Sequence, residues 1–171
     1  AKSVLEGARD GAMKFYYLAE VERMLGNLEA AKRDMALADA CPWQEEFPSR
    51  TESLAILDHA ATPMADYYRG CILYHVGRYA EAVAAWEKTV AVVDFAPAYR
   101  NLSLGCFDHL DRADDARRYL ETAHRLMPES NRIFYELTQL YRSLNLPLDE
   151  RLALYENNRE LTAQRDDCTL A

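Results

Sequence analysis

A spacing of small and large residues recurs along the chain, and it constrains the fold more than any other feature. It begins at Ala31, Ala82 and Ala116, and the step from Ala82 to Ala116 is 34 residues. The residues four and seven positions further on are, in turn, Met35 and Ala38, Trp86 and Thr89, and Leu120 and Ala123. These offsets place three side chains on one helix face. A fixed period of about 34 residues indicates a helical repeat architecture.

The segment Tyr67–Asp94 shows what one period encodes. Its first half carries an apolar helical stripe that ends at Gly77, because glycine accepts the left-handed conformation of a helix stop. The second helix begins at Tyr79, and its predicted buried stripe is Ala82, Trp86, Thr89 and Val93. The small Gly70 and Ala82 allow the two helix backbones to approach closely. Neither helix can bury its apolar face alone, so the hairpin needs neighbours.

These positions resemble the tetratricopeptide repeat family. The matching residues are Gly70, Gly77, Tyr79, Ala82 and Trp86; Tyr99, Leu102, Ser103, Ala116, Leu120, Ala123 and Pro128; and Phe134, Leu137 and Tyr141. The departures are Asp66 and Arg69 at apolar positions, one extra residue in the turn His109–Ala113, and Glu150 or Arg151 where alanine is expected. The resemblance implies an all-α fold, a right-handed αα-superhelix of about nine helices.

One segment interrupts the period. Ala31 to Ala82 is 51 residues, one and a half repeats, so an unpaired helix is expected between two hairpins. Ser49 followed by Glu52 matches a capping box, which predicts this helix at about 49–61. We expect Cys41–Pro48 to run extended through the slot of a missing helix, with Trp43 and Phe47 filling the gap. The helix from Ser49 would then lie roughly parallel to the helix of residues 28–40.

The whole chain, residues 1–171, is predicted to be a single tetratricopeptide-repeat domain. The hairpins are expected at about 12–40, 64–94, 96–127 and 131–164. Several segments also resemble the repeat region of large bacterial proteins that contain domain of unknown function 5107. They are YYRGCILYHVGRYAEAVAAWEKTV, APAYRNLSLGCFD, LTQLYRSLNLPLDERLALYE and QRDDCTL, within residues 45–171. In that family the repeats follow a β-rich domain related to carbohydrate-processing folds. The resemblance implies that the chain is excised from a longer bacterial protein.

Charge and composition exclude several classes of function. The net charge of −8 argues against nucleic acid, because binding to phosphates needs a clustered basic surface. The same charge fits ordinary acidic solubility, with a dedicated basic partner as the alternative. The sequence has no run of about 18 apolar residues and no secretory leader, so neither a membrane span nor export is expected.

Motifs for catalysis or metal binding are weak. Cys41, Cys71, Cys106 and Cys168 form no C-x-x-C pair, and their scatter fits reduced thiols in the cytoplasm. Cys71–His75 and Cys106–His109 each share a helix face, but the repeat pattern turns the two pairs in different directions. No catalytic triad spacing and no phosphate-binding loop is present. We therefore expect no enzyme activity, no metal and no cofactor.

The first helices of stacked hairpins line one concave face, which is the expected recognition surface. Equivalent positions form two rows there, Tyr67, Arg100 and Tyr135, and Tyr74, Phe107 and Arg142. Aromatic and arginine residues are enriched in interface hot spots. Arginines favour a partly acidic extended peptide, and a sugar chain stacked on tyrosines is the second choice. The alternative for each tyrosine is packing between hairpins.

The expected function is therefore a non-catalytic scaffold that binds a protein or peptide. The alternative is an accessory region of a carbohydrate-active enzyme that packs against its own β-rich domain. The C-terminal end should also present an apolar face to which Leu152, Tyr155, Leu161 and Leu170 contribute. Such a face would fray, or would support a weak homodimer.

Overall fold

The computed structural model describes residues 11–45 and 48–163, and within these ranges the protein is entirely helical. The helices pair in chain order into hairpins, with one short helix between the first two pairs. They are α1 (Ala12–Met24), α2 (Leu28–Ala40), α3 (Ser53–Ala60), α4 (Pro63–His75), α5 (Tyr79–Val90), α6 (Ala96–His109), α7 (Ala113–Leu126), α8 (Asn131–Ser143), α9 (Leu148–Asn157) and α10 (Arg159–Ala163). Every described helix is too short to cross a lipid bilayer.

The chain forms two compact units that divide between Val93 and Asp94. Unit 1 contains α1–α5, with α1 packed on α2 and α4 packed on α5. Unit 2 contains α6–α10, with α6 packed on α7 and α8 packed on both α7 and α9. The grouping of both units into one domain stays a prediction.

A common turn joins the two helices of each hairpin. Its left-handed residue is Gly26, Gly77, Asp111 or Asn145, each with a positive φ. In three of the turns the next backbone N–H donates to the carbonyl five residues back, as Arg78 does to Leu73. This bond closes the helix end in the manner of a Schellman motif. In the third hairpin the backbone N–H of Arg112 donates to the carbonyl of Cys106, six residues back, because this turn contains the extra residue that the sequence shows.

The alanine-led stripes form the core of the second helices. Ala82, Trp86 and Thr89 are buried in α5, and Ala116, Leu120 and Ala123 are buried in α7. The predicted stripe of α5 is wrong at its last member: the helix ends at Val90, and Val93 is exposed beyond it. The side chain of Thr89 also bonds across the hairpin to the carbonyl of Pro63, at 3.1 Å.

The irregular segment differs from its prediction in two ways. Trp43–Glu45 forms a 3₁₀ turn, so Cys41–Pro48 is not extended throughout, and Phe47 lies outside the described residues. Helix α3 begins at Ser53 and not at Ser49. The N–H groups of Ser53 and Leu54 donate to carbonyls three residues back, on Arg50 and Thr51. A tight turn therefore precedes α3 and displaces the predicted capping box.

Helix α3 packs against both first helices of unit 1, α1 and α4. A partly buried cluster of Tyr16, Asp39 and Thr62 joins α1, α2 and the start of α4. The hydroxyl of Tyr16 in α1 donates to Asp39 Oδ1 in α2, and Thr62 Oγ1 donates to the same oxygen at 2.8 Å. Thr62 also caps α4 by accepting from the N–H of Ala65 at 3.2 Å. Burial and the bond to Asp39 raise the pKa of Tyr16, so this phenol stays protonated and can donate.

The last hairpin depends on polar contacts where the repeat family has alanine. Arg117 in α7 donates to Glu121 at 2.8 Å and to Glu150 in α9 at 2.9 Å. Its guanidinium lies 5.2 Å from the ring centroid of Tyr141 in α8, and the Tyr141 hydroxyl donates to Glu121 at 2.7 Å. This Arg117 cluster therefore connects three helices.

The C-terminal apolar face is only partly as predicted. Leu152 is exposed, but Leu161 is buried and Tyr155 packs edge-on against Phe134 at 5.8 Å between ring centroids. Leu170 lies outside the described residues. The most exposed leucine of α9 is Leu148, which the prediction did not include.

Candidate protein-interaction face

The six predicted recognition residues lie on first helices of the two units. Tyr67 and Tyr74 belong to α4 in unit 1, while Arg100 and Phe107 belong to α6 in unit 2. Tyr135 and Arg142 belong to α8, also in unit 2. Each unit therefore needs its own description.

The two tyrosines of unit 1 are packing residues. Tyr67 is only 7% exposed and its ring packs on that of Tyr68, with 5.4 Å between centroids. Tyr74 is half-buried and packs on both Tyr79 and Trp86, at 5.1 and 5.6 Å. The assignment of Tyr67 to an accessible surface needs correction, because burial of its ring inside unit 1 leaves almost no area for a ligand.

Helix α3 also covers part of the first-helix face of unit 1. The hydroxyls of Tyr17 and Ser53 lie 2.9 Å apart, and Nδ1 of His59 lies 3.1 Å from Glu20 Oε1. Asp58 pairs with Arg69 of α4 at 2.6 Å. Side chains of both first helices of unit 1 that α3 meets are thus in contact with the chain's own short helix.

Unit 2 has an open groove at the equivalent place. The α6/α8 groove, about 530 Å³ including the space open to solvent, has an apolar lining with polar groups at its edge. Its lining includes Leu104, Phe107, Tyr135, Gln139, Leu140 and Ser143, together with the acidic Asp108 and Glu136. Two predicted recognition residues, Phe107 and Tyr135, therefore meet in one cavity.

Arg100 is bound within the protein. Its Nε donates to Glu136 Oε2 at 2.6 Å, and its Nη2 donates to Glu136 Oε1 at 2.5 Å. Both side chains are about four-fifths buried, with exposures of 19% and 20%. Arg132 adds a third contact to Glu136, at 3.2 Å. A two-pronged, partly buried pair of this kind fixes α6 against α8 and leaves Arg100 unavailable to a ligand carboxylate.

Arg142 differs from Arg100. It is exposed, and among the described residues no acidic side chain pairs with it. It lies in α8 between Gln139 and Ser143, which both line the groove. Of the two predicted arginines, only Arg142 has no acidic partner among the described residues.

The cysteine and histidine pairs do not form a metal centre. Cys106 is buried in α6, and burial raises the pKa of the Cys71 thiol to about 11. A thiol in that state is a poor nucleophile and a poor ligand. Among the described residues no three His, Cys, Asp or Glu side chains converge enough to hold a metal ion.

No family model matches the sequence. Solved structures of MamA do resemble the chain. MamA from Desulfovibrio magneticus RS-1 aligns over 94% of this chain and 100% of its own, with a TM-score of 0.56 and 18% identity. MamA of AMB-1 aligns over 99% of this chain and 84% of its own, with a TM-score of 0.56 and 17% identity. A further MamA crystal structure gives a TM-score of 0.57 at 17% identity, over 95% and 85% of the two chains.

The fold is a tetratricopeptide-type αα-superhelix. At this level of identity the likeness shows the fold alone, and it confirms the fold class that the 34-residue period predicts. Sequence reasoning missed Leu104 and Ser143 as parts of this lining, because their proximity depends on how α6 packs beside α8. Leu104 and Gln139 are 35 residues apart, close to one repeat period, and this spacing could have indicated that the two side chains lie near each other.

Proposed function

We propose that this protein is a non-catalytic scaffold that binds a segment of a partner protein in the α6/α8 groove. The observation that supports this site is the apolar groove between α6 and α8, in which two of the predicted recognition residues meet. In unit 1 the first helices contact α3 or bury their tyrosines, whereas in unit 2 the groove between α6 and α8 is open. An open apolar cavity with polar groups at its edge is the usual form of a binding site.

The groove favours a peptide with an apolar anchor. Phe107, Leu104 and Leu140 offer the apolar contact, and Tyr135 adds a hydroxyl to its ring. Because Arg100 is bound to Glu136, the acidic preference reduces to one residue of the ligand, which Arg142 would contact. The proposed ligand is therefore an extended peptide with a large apolar side chain and one nearby carboxylate. The interaction rests on a central anchor, as in most protein interfaces.

A displayed library of random peptides, selected on the full chain, tests this proposal. Enriched sequences are made with a fluorescent label and titrated by anisotropy against wild type and Ser143→Trp. Ser143 is exposed at the groove edge, so the indole fills the cavity without removing a core side chain. We expect Ser143→Trp to weaken binding by at least about tenfold. Arg142→Ala should cost about 1–2 kcal/mol of binding free energy.

The matched control is Arg125→Ala, which removes an exposed arginine from α7, outside the groove lining. Its affinity should equal that of wild type, and all variants should keep the wild-type circular dichroism spectrum. A library that enriches no peptide would contradict the proposal. So would enriched peptides that bind Ser143→Trp as tightly as wild type.

The accessory role in a larger carbohydrate-active enzyme is the second proposal. It is supported by the resemblance of residues 45–171 to the repeats associated with domain of unknown function 5107. On this proposal a β-rich domain of the same longer bacterial chain occupies the groove, and stacked sugars are the less favoured ligand. Protection of Phe107 and Tyr135 from hydroxyl-radical footprinting in the longer protein, relative to this chain, would support it. The proposed location is the cytoplasm, since four cysteines scattered through the sequence without a C-x-x-C pair fit reduced thiols.

A further inference from the structure

The α6/α8 groove has a closed floor and an open mouth. Leu140 in its lining is buried, whereas Asp108 and Ser143 are exposed. Arg100 and Glu136 pair in the first halves of α6 and α8. Asp108 and Ser143 follow that pair by eight and seven residues, or about 10–12 Å along a helix. The two helices therefore run in the same direction, and Asp108 and Ser143 lie on opposite walls of the mouth.

These two walls carry opposite charges. Asp108 is an exposed acid on the α6 wall, and Arg142, next to Ser143, is an exposed base on the α8 wall. Within the part of the chain that the structure describes, neither the Asp108 nor the Arg142 side chain forms a hydrogen bond or an ion pair. The mouth of the groove therefore offers a ligand one negative contact on α6 and one positive contact on α8.

Other charged side chains near the groove have partners of their own. Glu136, the second acid of the lining, accepts two hydrogen bonds from Arg100 and a third from Arg132 at 3.2 Å. Arg112, in the turn after α6, donates to Asp115 at 2.7 Å. These contacts neutralise the charges of the groups that make them, so the charges of Asp108 and Arg142 are not cancelled by those neighbours.

The place of Asp108 in its helix does not favour stability. Asp108 lies in the last turn of α6, which ends at His109. A helix C-terminus carries partial negative charge, so a carboxylate there is unfavourable for the helix. A residue that weakens its own helix at the mouth of a groove is typical of a position kept for function, because function and stability often conflict at binding sites.

We infer that Asp108 selects a lysine or arginine of the bound peptide and that Arg142 selects an acidic residue, so that the two walls fix the direction in which the peptide crosses the groove. This inference rests on the proposed peptide binding in the α6/α8 groove. The ring of Phe107 can pack on the aliphatic stem of the basic side chain while its charged end reaches the Asp108 carboxylate. Complementary charges of this kind give specificity and fix register.

The width of the groove sets the spacing of the two charges in the ligand. The axes of neighbouring helices lie about 8–10 Å apart. An extended peptide covers about 3.3–3.6 Å per residue. A peptide that crosses from α6 to α8 therefore carries its basic and acidic residues about three positions apart, with the apolar anchor between them.

Selection of one displayed peptide library on wild type and on Asp108→Lys, with the full chain in both cases, tests this inference. Wild type should enrich a basic residue about three positions from an acidic one, and Asp108→Lys should enrich an acidic residue in place of the basic one. The best wild-type peptide is then titrated by fluorescence anisotropy. It should bind Asp108→Asn about threefold more weakly and Asp108→Lys about tenfold more weakly than wild type. The same peptide with glutamate in place of its basic residue should prefer Asp108→Lys to wild type.

The matched control is Glu156→Lys, which reverses an exposed acid in the last turn of α9, outside the groove lining. It should bind the wild-type peptide as wild type does. Asp108→Asn should be at least as stable as wild type in urea unfolding, because the charge at the end of α6 is removed. Weaker binding without a loss of stability is an effect that a purely structural role of Asp108 would not produce.

Two kinds of failure are distinguishable. Enriched peptides without a basic residue, or equal affinity of the wild-type peptide for wild type and Asp108→Lys, would overturn this inference and leave the groove as a peptide site. A library that enriches no peptide on wild type would overturn the proposed function, and this inference with it.

Discussion

The indole of Trp86 lies directly against the backbone of Gly70. A Cβ atom on Gly70 would come 2.3 Å from Nε1 and 2.5 Å from Cδ1 of Trp86. The same Nε1–H donates to the carbonyl of Tyr67 at 3.1 Å, so the indole is fixed by a hydrogen bond as well as by packing. Gly70 of the first helix and Trp86 of the second thus form a close packing contact between α4 and α5.

Replacement of Gly70 by alanine should destabilise the protein. The added methyl group cannot fit, because the indole is buried and held by its bond to Tyr67. Overpacking of this kind costs about 1–3 kcal/mol. Urea unfolding followed by circular dichroism measures the loss. In a background of Trp86→Leu, the same Gly70→Ala change should cost clearly less, and equal costs in both backgrounds would show that the indole is not the obstacle.

The close packing of α4 on α5 could be predicted from the sequence. The period of 34 residues aligned Ala82 with Ala116, and the small Gly70 and Ala82 predicted a close approach of the two helix backbones. Such positions are predictable because they depend on contacts within one hairpin, whose two helices are close in the sequence. Gly77 was predictable for a similar reason, since its left-handed turn is a local requirement.

Ala61 should tolerate glycine with a gain in stability. Its φ is 50°, in the left-handed region, where a Cβ atom costs roughly 1–2 kcal/mol. Glycine removes that strain at a loss of chain entropy, so we expect Ala61→Gly to stabilise by about 0.5–1 kcal/mol. Gly77→Ala is the matched opposite, with a φ of 80° and open space around its Cβ position. It should destabilise by a similar amount, and two changes of the same sign would contradict the argument.

The contacts that decide the candidate face were not predictable in the same way. Arg100 and Glu136 are separated by 36 residues, and nothing in their local sequence indicates that they bind each other. The start of α3 at Ser53 was not predictable either. Ser49 and Glu52 match the capping-box pattern, but the turn at Arg50–Glu52 replaces that cap in the structure. The position of α3 over α1 depends on tertiary packing alone. The fold class was therefore predictable, whereas the accessibility of each recognition residue was not.

The cluster of Tyr16, Asp39 and Thr62 should be a major support of the irregular segment. Asp39→Ala removes the acceptor of the Tyr16 hydroxyl, which is buried, and also that of Thr62. A buried donor that loses its partner costs about 1–3 kcal/mol. In a background of Tyr16→Phe the same change should cost less, since one of the two donors is then absent. Chemical denaturation of wild type, the two single variants and the double variant measures this coupling. Losses of unfolding free energy that are strictly additive would exclude it.

The Arg117 cluster should make unit 2 sensitive to alkaline pH. Burial and the bond to Glu121 raise the pKa of Tyr141 to about 12, against about 10 in an unfolded chain. The stabilising effect of the protonated phenol is therefore complete below about pH 10 and is lost as the pH rises to about 12. Other groups also titrate in this range, so the informative quantity is the difference between wild type and Tyr141→Phe. At about pH 8 the variant should be less stable by about 1 kcal/mol, because it lacks the hydrogen bond. Near pH 11.5 urea unfolding should show this difference abolished or reversed, whereas a constant difference at both pH values would contradict the role of Tyr141.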